Sequence, residues 1–65
     1  MDKKQKREFV ERATRLLNEH RVVDVSLGSH RVTIELDNGA EIEFYAVPKY
    51  DTVEMEGSIF NFPTL

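Results

Sequence analysis

The sequence predicts an α+β domain: an N-terminal helix packed on a three- to four-stranded antiparallel β-meander. Two observations carry that expectation. Apolar residues recur at helical spacing as far as residue 20, and beyond residue 21 the period switches to two. The turns between the alternating segments can also be set so that neighbouring strands place their apolar residues on one common face.

The helix is expected over residues 3–20. Phe9, Ala13, Leu16, Leu17 and His20 form its apolar stripe, and Val10 widens it. Arg7, Glu8, Glu11, Arg12, Arg15 and Glu19 fill the opposite side, with Glu8–Arg12 and Glu11–Arg15 in the favourable acid-first i,i+4 order. Asp2 is the natural N-cap, but the lysines that follow oppose the helix dipole, so the first turn is expected to fray. His20 and Arg21 suit the C-terminal end.

Strands are expected at about 22–27, 30–36 and 40–47. Val23, Val25 and Leu27 alternate with Asp24 and Ser26; Val32, Ile34 and Leu36 with Arg31, Thr33 and Glu35; Ile42, Phe44 and Ala46 with Glu41, Glu43 and Tyr45. A two-residue type II′ turn at Gly28-Ser29 sets Leu27 opposite His30 and Val25 opposite Val32. For the second hairpin, a two-residue Asn38-Gly39 turn would set Leu36 against Glu41. A three-residue Asp37-Asn38-Gly39 loop with a Gly39 bulge instead pairs Leu36 with Ala40, Ile34 with Ile42 and Val32 with Phe44. Pro48 should end the third strand. Val53 and Met55 alternate with Glu54 and Glu56, giving a short fourth strand over 52–56 that Gly57 should break. Residues 58–65 form an apolar tail, with Ile59, Phe60, Phe62 and Leu65 either closing the core against Phe9 and Leu16 or forming an interface between two copies.

At 65 residues the chain is one domain, and so small a domain buries only about 60% of its unfolded surface. There is no cysteine, which rules out a disulfide framework and a thiolate zinc site and favours the cytoplasm. The basic start leads into no apolar run of signal-peptide type, and no segment approaches a membrane span. The net charge of −3 is unevenly spread. Residues 1–21 hold seven bases against four acids, and residues 22–65 hold eight acids against two bases.

Catalytic chemistry has few candidates. The two histidines, His20 and His30, are explained by the helix end and a turn, and the derived register points Asp24 away from the face of His30, which leaves no triad with Ser29. Metal-ligand spacings among His20, His30, Asp24 and Glu19 are missing, and Gly28, Gly39 and Gly57 are isolated turn glycines rather than a phosphate loop. No catalytic residue, metal or cofactor is expected.

Binding is the better expectation. On the outward sheet face the register gathers Asp24, Glu35, Glu41, Glu43, Glu54 and Glu56, with Tyr45 as an aromatic anchor. Glu35 opposite Glu41 is a like-charge pair that folding alone gives no reason to select. The function expected is that of a small non-enzymatic inhibitor or adaptor docking on the basic surface of a protein partner, the kind of domain found as a bacterial or phage accessory protein. The ordinary alternative is a solvated face whose acids discourage aggregation. A second possibility is nucleic-acid binding through Lys3, Lys4, Lys6, Arg7, Arg12 and Arg15, although aromatic interleaving and net positive charge are missing. A third is a homo-oligomeric module joined through the tail.

Overall fold

The computed structural model describes residues 1–61. Helix α1 (Lys3–Glu19) is followed by strands β1 (Val22–Leu27), β2 (Arg31–Leu36), β3 (Ala40–Pro48) and β4 (Val53–Asn61). The strands form one antiparallel sheet in the order β1-β2-β3-β4, so the α+β meander expected from the sequence is the observed architecture, with four strands. No helix among the described residues is long and apolar enough to cross a membrane.

The start of α1 is better capped than its lysines suggest. The Asp2 carboxylate accepts from the Gln5 backbone N–H at 2.8 Å, and the Gln5 side chain accepts from the Asp2 N–H at 3.0 Å. This reciprocal box satisfies donors that a helix start otherwise leaves orphaned. The expectation of fraying weighed the lysines against the dipole and passed over the Asp2–Gln5 spacing, which fits the box.

The β2–β3 hairpin has the predicted register: Ile34 faces Ile42 and Val32 faces Phe44. Gly39 has φ 88°, and its N–H donates to the Leu36 carbonyl at 3.0 Å, as a left-handed bulge position requires. The β1–β2 turn differs from expectation. Gly28 pairs with Arg31, its N–H donating to the Arg31 carbonyl at 2.8 Å, and Leu27 faces Val32 rather than His30. Ser29 and His30 therefore make the turn, and among the described residues only Gly39 has positive φ, which excludes the II′ turn. The slide is two residues long, so the side chains from Asp24 to Leu27 keep their predicted faces. A bulge at Val23 then shifts the register once more, setting Val22 opposite Leu36.

Strand β4 runs well past the predicted 52–56. Gly57 sits inside it, paired with Phe44, and does not break it. The Phe9 ring lies so close over Gly57 that a Cβ there would overlap it, and the same ring meets Phe44 edge-on at 5.5 Å. Residues 58–61, predicted as tail, are strand; Ile59 packs on the core, while Phe62 and Leu65 lie outside the described residues.

Ala13, Leu36, Ala40 and Ile42 are the fully buried apolar residues, and Phe9, Leu16, Ile34, Phe44 and Ile59 close around them. The helix thus covers the middle of β3, the Gly57–Ile59 part of β4 and the Leu36 end of β2, while Val53 and Met55 at the start of β4 stay 64% and 58% exposed. It leaves β1 bare: all six of its residues are exposed, Val25 at 54% and Leu27 at 80%. Period-two patterning predicts which face of a strand is apolar, but not how far across the sheet a single helix will reach.

Candidate functional site

The outer face of the sheet is assembled by register. Asp24 on β1 pairs with Glu35 on β2, Glu35 pairs with Glu41 on β3, and Glu41 pairs with Phe60 on β4. Three carboxylates therefore lie in one row across three adjacent strands. Directly paired positions hold their Cβ atoms about 4.5–5.5 Å apart, where like charges repel. Among the described residues no cation makes an ion pair with Asp24, Glu35 or Glu41.

The other acids predicted for this face are placed differently. Glu43 lies 3.7 Å from the Arg31 guanidinium. Glu54 and Glu56 stand on β4, the outer edge of the sheet, and their carboxylates reach cations rather than the acid row. Lys6 Nζ donates to Glu54 Oε1 at 2.7 Å, Lys49 Nζ lies 3.8 Å from Glu54 Oε2, and the Met1 amino group lies 3.3 Å from Glu56 Oε2. The hydrogen bond and charge of Lys6 hold the Glu54 carboxyl below the ordinary carboxylate range. The Lys6 and Met1 pairs join residues 48 and 55 positions apart, a distance over which sequence spacing gives no signal. They fasten the first turn of α1 to the sheet edge.

Tyr45 is opposite Arg31 and Glu56, four residues along β3 from Glu41 and so about 13 Å from the acid row. With Ser29, His30, Arg31, Glu43 and Ala46 it borders an open hollow of about 370 Å³ beside the β1–β2 turn. The site as built is then a row of unneutralised carboxylates with Phe60 at one end, and Tyr45 on the same face four residues further along β3.

The basic residues occupy the other side of the molecule. Lys3, Lys4, Arg7, Arg12 and Arg15 are exposed along α1, while Lys6 is held by Glu54. Arg12 and Arg15 border a groove with Leu16, Ala40 and Ile59. The sheet therefore separates a basic helix surface from an acidic strand surface, which gives the small domain a charge asymmetry across its thickness.

His20 caps the far end of the helix, where sequence reasoning foresaw a dipole contact but not its partners. Its Nδ1 lies 3.1 Å from Asp37 Oδ1, and its Nε2 lies 3.3 Å from Asn38 Nδ2. Asn38 Oδ1 accepts from the Ala40 N–H at 3.0 Å, which turns the amide nitrogen toward the ring. With Asn38 donating to Nε2, Nδ1 carries the proton toward Asp37. This network locks the helix end to the β2–β3 loop and so fixes where α1 lies on the sheet.

Comparison with protein-family models, with curated proteins and with solved structures finds no match to this chain.

Proposed function

We propose that the protein is a small non-enzymatic binding protein that docks on a basic protein surface through the outer face of its sheet. The observation that carries this is the row Asp24–Glu35–Glu41, three acids paired across neighbouring strands without an ion-pair partner among the described residues. A face shaped only by stability would alternate charge sign or use neutral residues, since directly opposed acids destabilise the ladder. A basic partner removes that repulsion on binding. Phe60 at the end of the row and Tyr45 further along β3 on the same face supply the apolar and aromatic contact that charge alone lacks.

The test is a comparison of the protein with a Glu35→Lys, Glu41→Lys double variant. Both are immobilised and exposed to native lysate at about 50 and about 300 mM salt, because exposed charge contacts weaken with screening. The expected result is one protein retained by the wild type at low salt, released at high salt, and not retained by the variant. Equal retention by the variant contradicts the proposal. Nucleic acid retained by both forms, and lost on reversing Lys3, Lys4 and Arg7, would transfer the function to the helix.

A further inference from the structure

Among the described residues, strand β1 is an edge whose unpaired side is neither covered nor guarded. Its only charge is Asp24, it contains no proline, and Val25 and Leu27 are more than half exposed. Natural sheets usually protect such an edge with lysine, proline or a covering element. The bulge at Val23 blunts its first part, but the stretch from Asp24 to Leu27 is regular.

Backbone direction along that stretch follows from one hydrogen bond. Gly28 donates to Arg31, so Gly28–Arg31 is a hydrogen-bonded pair, and alternation makes Ser26–Thr33 and Asp24–Glu35 hydrogen-bonded as well. The N–H and C=O groups of Val25 and Leu27 consequently point away from β2, toward the open edge.

We infer that a second copy of this chain pairs there, β1 against β1 in antiparallel register about a two-fold axis at Ser26. Parity allows only registers that keep like faces together. The Ser26-centred one sets Val25 of each copy opposite Leu27 of the other, so that all four outward backbone groups on each strand are used. It also sets Asp24 opposite Gly28, which leaves the two Asp24 carboxylates roughly 14 Å apart, beyond the screening length of about 10 Å at 0.1 M salt. A register that met Asp24 with Asp24 would oppose like charges. The dimer forms one eight-stranded sheet with both helices on one face and both acid rows on the other, a continuous and doubled acidic surface.

The experiment is analytical ultracentrifugation of the full chain from about 5 µM to 1 mM, with residue-resolved hydrogen exchange at both ends of that range. The expected result is a dimer that dissociates on dilution, with Val25 and Leu27 amides exchanging at least tenfold more slowly at high concentration. Leu27→Pro deletes an outward N–H without touching the β2 ladder and should abolish the dimer while leaving the monomer folded. Val25→Lys is the second variant should the proline disturb the hairpin. A monomer throughout, a dimer in which the Val25 and Leu27 amides gain no protection, or a dimer indifferent to both variants would overturn the inference.

Discussion

The two halves of the sheet are built from the same kind of strand and live in different surroundings. Under the helix, Leu36 is 1% and Ile42 0% exposed, and a glycine is needed at position 57 to admit the Phe9 ring. On β1, Leu27 belongs to the same apolar face and is 80% exposed. One helix of 17 residues covers only part of a four-stranded sheet, and here it is pinned to β4 at its start and to the β2–β3 loop at its end. The difference teaches that one helix concentrates stability in part of the sheet: the covered half holds the fold together, β1 presents an open edge, and the acid row crosses from β1 to β3 on the opposite face.

The sharpest way to break that comparison is to make one substitution in each half. Leu36→Ala should destabilise by about 2–5 kcal/mol in urea denaturation of dilute protein, enough to unfold much of a marginal domain. Leu27→Ala in the same conditions should stay within about 0.5 kcal/mol. Equal losses would mean that β1 is covered in solution. The packing at position 57 comes next. Gly57→Ala should cost about 1–3 kcal/mol through the clash with Phe9, and combining it with Phe9→Leu should recover part of that, a coupling that a double-mutant cycle reads directly.

Much of the covered half was legible in the sequence. The Asp37–Gly39 loop could be chosen because only a three-residue bulged turn keeps Leu36, Ile34 and Val32 in phase with Ala40, Ile42 and Phe44. The β1–β2 turn was not legible in the same way, because a two-residue slide preserves parity and leaves the hydrophobic pattern unchanged. Gly57 was misread as a strand end because the ring that makes a glycine necessary there is 48 positions away in the chain. For the acid row, the pairing of Glu35 with Glu41 followed from the turn. That Glu54 and Glu56 would be taken by Lys6 and the Met1 amino group did not, since tertiary ion pairs have no local spacing rule.

Smaller effects sharpen the contrast at its margins. Asp2→Ala should cost about 1 kcal/mol by removing the capping box, measured by thermal denaturation. Glu41→Lys should raise stability by about 0.2–1 kcal/mol, replacing a like-charge cross-strand pair with an attractive one, while removing partner binding. A gain in stability accompanied by a loss of binding is the signature of a residue kept for function. The least effect is expected from Glu54. Its lowered pKa means that its contribution is fully present above the ordinary carboxylate range and is lost as pH falls through that range and below. Glu54→Gln should flatten that part of the stability-against-pH profile, and because the pair is exposed the change should be slight.

Native-state hydrogen exchange in dilute protein tests the central asymmetry most directly. Asp24 and Ser26 donate inward to β2, as Ile42 and Phe44 donate within the covered half, so all four amides are hydrogen-bonded and differ mainly in what lies above them. Faster exchange of Asp24 and Ser26, through an opening of the β1–β2 hairpin that leaves β3 and β4 closed, is the result predicted. Equal protection of all four, lost only in global unfolding, would contradict the division of the sheet into a sealed half and an open one.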